Sequence, residues 1–259
     1  MKNSKAAVQQ RQQDILAYIK NHESVDVNSL AEYFNVTPTT IRRDLNELEQ
    51  MKHVRRYFGG AKCIEPMASE DVGPTDIADE KELVRREIAK AAAAMITEND
   101  IVFMNSSATA SLVLEYIGDK TVTVITNNGR ALYINKSSKT QLVLTGGEVY
   151  GRKQSLVGSF ACDAVMKVTA TKCILGVSGI SVADGITSRV LPETTINQMM
   201  LERCSGEKII VTEGSKIGIS HSFYSGSVKD ITHLITDSAA DPAHLKELSD
   251  SGVEVMVVC

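Results

Sequence analysis

Apolar residues recur at helical spacing through the first fifty positions and switch to short β-branched runs separated by helical segments after residue 100. Val8, Ile15, Leu16 and Ile19 predict a first helix running to about Lys20. A second starts behind Asp26, a good N-cap, with Val27, Leu30, Ala31 and Phe34 on one stripe. Thr37 and Pro38 then suit the cap and first position of a third helix, whose Ile41, Leu45 and Leu48 form a buried stripe. At about 100° per residue, Thr39, Arg42, Arg43 and Asn46 fall on its opposite face. Two short strands around Gly59-Gly60 are expected next. From there Glu65 to Asp76, with two prolines, a glycine and four acids, reads as a linker, followed by a helix over 79–96.

The rest of the chain alternates. Strands are expected at 101–104, 122–125, 141–145, 172–177, 208–211, 233–236 and 253–258, and helices at 109–117, 130–136, 160–168, 193–204 and 242–251. Such alternation predicts a mainly parallel sheet covered by helices on both faces. The expected fold class is α/β, with a small N-terminal module over 1–62, a linker over 63–78 and a larger domain over 79–259.

Charge sharpens this division. Residues 1–62 carry ten Lys/Arg against seven Asp/Glu, a balance of +3, whereas the remainder carries 18 against 25, a balance of −7. A basic head on an acidic body suggests that only the head meets nucleic acid. Two helices joined by a turn of three or four residues, the second with arginines on its free face, form a helix-turn-helix whose second helix enters the major groove. Arg, Asn and Thr are the residue types that bind phosphates and read base edges. The stretch after it holds Lys52, Arg55, Arg56 and Lys62 without an acid, and a hairpin there would lie along the backbone as a wing. The alternative is a solvated helix in which Arg43 pairs with Glu47 one turn on. The DNA-contacting set is therefore expected to be Thr37, Thr39, Thr40, Arg42, Arg43, Asn46, Arg55, Arg56, Gly59 and Gly60.

In the body, the strand ends carry the chemistry. They run into Asn105-Ser106-Ser107-Ala108-Thr109, Thr126-Asn127-Asn128, Thr145-Gly146-Gly147, Ser178-Gly179 and Thr212-Glu213-Gly214-Ser215-Lys216. Ligands of open α/β sheets bind beyond the carboxyl ends of the strands, and hydroxyls, amides and free N–H groups there suit a phosphorylated, hydroxyl-rich small molecule. Arg130, Arg152 and Lys153 add positive charge nearby. The expected ligand set is residues 105–109 and 126–128 with Gly146, Gly147, Arg152, Gly179, Glu213 and Lys216. Taken loop by loop, these are also ordinary turn residues.

Other classes find little support. No apolar run approaches the roughly 20 residues of a membrane span, and five scattered cysteines without a Cys-x-x-Cys suggest reduced thiols in the cytoplasm rather than disulfides or zinc. No metal cluster, cofactor motif or Ser/His/Asp order appears.

The residues resemble a known family. Arg11-x3-Ile15, Leu30-Ala31, Val36-Thr37, Thr40-Ile41-Arg42-Arg43-Asp44-Leu45 and Val54-Arg55-Arg56-x2-Gly59-Gly60 look like the winged helix-turn-helix of DeoR-family bacterial transcription regulators. In the body, Thr126-Asn127, Gly146-Gly147, Ser155-x2-Gly158, Gly176-x2-Gly179, Ser215-Lys216-x-Gly218 and Thr236-Asp237 are similar to that family's sensor domain. The resemblance implies a fold like ribose-5-phosphate isomerases, glucosamine-6-phosphate deaminases and CoA-transferases. It also implies a phosphorylated sugar effector, double-stranded operator DNA as partner, and a homo-oligomer, dimer or tetramer. A repressor without enzymatic activity, metal or cofactor is what it predicts. Two departures stand out: the family's first loop usually reads Asp-Ser-Gly-Thr-Thr where this chain has residues 105–109, and its usual Asp is here Glu213. They leave open a body that only oligomerises. A sugar-phosphate isomerase or deaminase is the other alternative, but no acid stands in Gly176-Val-Ser-Gly-Ile180, where those enzymes carry a pair; Asp184, Glu193 and Glu213 are the remaining candidates for a general base.

Overall fold

The computed structural model describes residues 11, 12, 14, 15, 18, 19, 25–50, 54–57, 60–63, 75–151 and 153–258. They fall into two compact units, 1–72 and 73–259.

In the first unit, the described residues between 11 and 19 are helical, with Ile15 and Ile19 buried. Strand β1 (Val25–Asp26) leads into helix α1 (Val27–Tyr33), capped by Asp26, whose carboxylate accepts from the backbone N–H groups of Asn28 and Ser29. Helix α2 (Pro38–Gln50) follows a four-residue turn in which Asn35 takes a left-handed φ of 50°, tolerated by its short polar side chain. Strands β2 (Val54–Tyr57) and β3 (Gly60–Cys63) pair antiparallel with Tyr57 opposite Gly60. Gly60 is thus the first residue of the returning strand, not part of the Gly59-Gly60 turn expected from the sequence. β1 pairs with the other edge of β3. Ile15, Ile19, Val27, Leu30, Ile41, Leu45, Leu48 and Val54 make one small core.

In the second unit, α3 (Thr75–Ala94) begins four residues before the expected 79. Acids near a helix start are favoured by the helix dipole, so the acidic stretch that looked like linker reaches into the helix. Then come β4 (Ile101–Met104), α4 (Ala108–Tyr116), β5 (Val122–Thr126) and β6 (Thr140–Leu144). A helix was expected over 130–136. Only a five-residue 3-10 turn forms, Gly129–Tyr133, started by Asn128 accepting from the N–H of Arg130 at 2.9 Å. A hairpin of β7 (Glu148–Tyr150) and β8 (Ser155–Val157), absent from the sequence expectation, precedes α5 (Ser159–Met166). β9 (Ala170–Gly176) is followed by β10 (Gly179–Ser181), β11 (Gly185–Ser188), α6 (Leu191–Glu202), β12 (Cys204–Val211) and β13 (Phe223–Gly226). β14 (His233–Asp237), α7 (Pro242–Asp250) and β15 (Glu254–Val258) complete it.

Seven strands form one parallel sheet in the order β15-β14-β12-β9-β4-β5-β6; β10, β11 and β13 form a separate antiparallel sheet that sequence reading missed. Alternation along each strand divides the core in two. Val102, Met104, Val124, Ile209, Val211 and Ile235 meet α3 and α4 through Ile88, Ala92, Ala110 and Val113. Phe103, Cys173, Leu175, Ile210 and Leu234 face the other way, against α5, α6 and α7. The chain leaves β4 outward through β5 and β6, then returns to β9 on β4's other side. The ends of β4 and β9 therefore border a switch point, where such sheets open a crevice.

Candidate nucleic-acid interface and ligand-binding edge

The third helix of the head has the expected face. Thr37 caps it, its hydroxyl accepting from the N–H of Thr40 at 3.2 Å and touching the Thr40 hydroxyl at 2.9 Å. Thr39, Arg42, Arg43 and Asn46 are all exposed, opposite the buried Ile41, Leu45 and Leu48. Arg43 also pairs with Glu47 at 3.6 Å, a weak exposed contact that a phosphate could displace. On the inner side, Asp44 is buried and held by the Arg11 guanidinium through two bonds, 2.7 Å from Nε and 3.1 Å from Nη2. Gln12 bonds Glu47 at 2.5 Å. Sequence reading placed Arg11 and Asp44 in a motif without seeing this pairing. The strand backbone of Arg55, Arg56 and Gly60 forms the predicted hairpin. The side chains of Arg55 and Arg56, and Gly59 altogether, lie outside the described residues.

At the sheet edge, Asn105 sits in the switch point. Its amide nitrogen donates to Gly176 O at 2.8 Å and Asn197 Oδ1 at 3.2 Å, and its oxygen accepts from the N–H of Gly176 at 3.0 Å and of Ser107 at 3.3 Å. Every polar atom of the amide is thus used to tie β4 to β9 and α6. Ser107 caps α4, and an added Cβ on Gly176 would lie 1.7 Å from the Ser107 hydroxyl oxygen, so only glycine fits there. Ser106 and Ser155, 2.8 Å apart, both turn to Glu193 Oε1, at 3.5 and 2.5 Å. Thr109 is buried behind them, and Ala108 opens the helix exposed.

The second loop is also inward. Asn127 is fully buried and donates to Leu156 O at 3.2 Å; Asn128 bonds the Ser111 hydroxyl, and Thr126 is buried. Gly146 and Gly147 are exposed with φ of 70° and 110°, where a Cβ on Gly147 would meet Val157 O at 2.4 Å. Gly179 starts β10 and is buried. Arg152 lies outside the described residues.

Lys216 has its charge engaged. Its Nζ lies 2.6 Å from Glu213 Oε2, while the other carboxylate oxygen takes the Nε of Arg85, reaching over from α3. Burial alone would raise the Glu213 carboxyl, but Lys216 and Arg85 outweigh it and hold the group at about 2. Sequence reading missed Arg85, because nothing in a helix 128 residues away marks a partner for the loop. Arg189 and His221 lie 3.3 Å apart, with His221 Nε2 at 3.2 Å from Ser178 O beside the end of β9.

Residues 11–67 match the DeoR-like helix-turn-helix domain, and residues 80–238 match the DeoR C terminal sensor domain. The chain belongs to the DeoR family. An uncharacterized HTH-type transcriptional regulator, YulB, of Bacillus subtilis (strain 168) is 31% identical over 253 residues, covering 97% of both chains. The glycerol-3-phosphate regulon repressor of Escherichia coli (strain K12) is 26% identical, covering 95% of this chain and 97% of its own. Ribose 5-phosphate isomerase A from Methanocaldococcus jannaschii overlays 52% of this chain and 54% of its own, at 13% identity and a TM-score of 0.39. As a DeoR-family protein, the chain is a DNA-binding transcriptional regulator built from a helix-turn-helix head and an α/β sensor. Among the described residues no helix is long and apolar enough to cross a membrane.

Proposed function

We propose that this DeoR-family regulator is a cytoplasmic repressor of carbohydrate-metabolism genes, released from its operator when a phosphorylated sugar binds at the carboxyl edge of the sensor sheet. The observation that carries the DNA-reading half is the exposed face of Thr39, Arg42, Arg43 and Asn46, backed by a fully apolar stripe and aimed outward by the Arg11–Asp44 pair. For the sensing half, the support is the β4/β9 switch point and the partly exposed Lys216 just past the carboxyl end of β12, together with a relative named as a glycerol-3-phosphate regulon repressor. Thr37, Thr40, Arg55, Arg56, Gly59 and Gly60 complete the DNA set. The effector set is residues 105–109, 126–128, Gly146, Gly147, Arg152, Gly179, Glu213 and Lys216.

One recognition helix reads only a few base pairs, so specificity calls for two or more heads on a symmetric oligomer. Tyr133 and Phe160, 83% and 76% exposed, are apolar surface that self-association would bury. The effector lowers operator affinity only by binding the two head arrangements unequally. Catalysis is not part of this reading: Glu193 is committed to the hydroxyls of Ser106 and Ser155, and Asp184 to the turn at Ser181 and Ser220.

A second reading is favoured by one specific observation: the amide of Asn105 and the hydroxyls of Ser106 and Ser155 spend their hydrogen bonds within the protein. In that case the body only oligomerises. A thermal-shift screen against phosphorylated sugars decides between them. A ligand at 100 times its dissociation constant adds about 2.7 kcal/mol of stability, and a flat panel would favour oligomerisation alone.

A further inference from the structure

Lys216 was expected to meet an anion as a free charge, yet it is one end of a three-residue chain. Glu213 stands at the end of β12 and is 7% exposed; Arg85, on α3, is 5% exposed; Lys216, with 29% of its side chain exposed, is the end an incoming ligand reaches. Each carboxylate oxygen serves one cation, so the group carries a net charge of +1 and Glu213 cannot shift toward one partner without leaving the other. α3 is otherwise fixed to the sensor by Ile88, Ala89, Ala92 and Ala93 in the core and by Arg86, which bonds Glu115 at 2.8 Å and Tyr116 at 3.1 Å. Arg85 ties this helix to the loop at the sheet's carboxyl edge through a buried ion pair. Among the described residues α3 is also the first element after the DNA-binding head in chain order.

We propose that Arg85 is the positioning residue of the anion site, holding Lys216 in place through Glu213 and passing anion occupancy to α3. An anion that takes the ammonium of Lys216 weakens its hold on Glu213, which then rests on Arg85 alone, and the seat of α3 changes. The reverse follows by linkage: a shift of α3 that pulls Arg85 away concentrates Glu213 on Lys216 and weakens anion binding. The inference rests on the sheet edge being the effector site.

The test uses the full chain and inorganic phosphate, compared with chloride at matched ionic strength. Thermal shift reads binding, and hydrogen exchange over Thr75–Ala94 reads the helix. The wild-type chain is stabilised by phosphate and its α3 exchange changes. Lys216→Gln loses both responses. Arg85→Gln leaves Glu213 paired with Lys216, so the fold survives. Phosphate then binds about tenfold more weakly, as one lost neighbouring charge implies, and α3 no longer responds. Arg85→Lys, which keeps the charge, returns the affinity to the wild-type value. An Arg85→Gln chain whose α3 responds as in wild type overturns the relay and leaves the site standing. So does an Arg85→Lys chain as weak as Arg85→Gln. A wild-type chain in which phosphate changes neither stability nor exchange overturns the effector-site reading, and the relay with it.

Discussion

Replacing Arg11 with alanine should strongly destabilise the DNA-binding head. Asp44 lies in the middle of α2 with its side chain only 2% exposed, and it accepts from Arg11 twice, at 2.7 and 3.1 Å; the Gln12 amide, at 3.5 Å, is too distant to compensate. Removing one partner of a buried ion pair costs about 3–5 kcal/mol, because the other charge is left buried and unpaired. Arg11 keeps 15% of its side chain exposed, so the lower end, about 3 kcal/mol, applies. A module of this size rarely has more than about 3–5 kcal/mol to lose. At roughly 4–8 °C per kcal/mol, the head's transition should fall by about 12 °C or more, while the sensor's own transition stays put. Asp44→Ala should cost less, since the arginine can swing its charge into water. The double variant Arg11→Met with Asp44→Leu should recover most of the loss. Calorimetry of the four chains provides the comparison. An Arg11→Ala chain destabilised by less than about 1 kcal/mol, or a double variant as unstable as the sum of the singles, would refute the reasoning.

Other consequences can be checked separately. The Glu213 carboxyl is held at about 2 against an ordinary 4.5, so its ionised form stabilises the sensor above pH 4.5 and that contribution, about 3 kcal/mol, fades as pH falls toward 2; in Glu213→Gln, acid titration of stability should lose this component. Gly176→Ala should push the Ser107 loop aside, at about 1–3 kcal/mol, and blunt any effector response, visible as a lowered melting temperature and a flat ligand screen. Arg42→Ala should weaken operator binding by about 1–3 kcal/mol and relax base preference, measured by competition among duplexes. Arg55→Ala should weaken binding to all sequences alike and lower the salt slope by about one.

Local chemistry explains what the sequence made legible. The caps at Asp26 and Thr37 and the stripe of Ile41, Leu45 and Leu48 are short-range patterns, and they sit where spacing placed them; the expected hairpin forms too, with Gly60 in its second strand rather than in the turn. The seven parallel strands were equally readable: the inner ones are near-continuous apolar runs, as strands covered on both faces are, and the more exposed edge strands β6 and β15 still keep β-branched and aliphatic residues. Short antiparallel pieces such as Gly179–Ser181, Gly185–Ser188 and Glu148–Tyr150 were not, being three or four residues long and mixed in polarity. Partners distant in sequence were the other blind spot. Arg85 looks like any surface arginine of an amphipathic helix until Glu213 is brought to it, and Asn105 looks like a ligand-facing amide until Gly176 and Asn197 take up its hydrogen bonds.

The most direct test follows full-length protein binding to a labelled duplex selected from a random pool, by fluorescence anisotropy, across a salt series and with phosphorylated sugars added. The account predicts a strong preference over a scrambled duplex, an affinity that falls steeply with salt, and release by one phosphorylated sugar in the wild-type chain but not in Lys216→Gln. Binding that ignored both sequence and salt would contradict it.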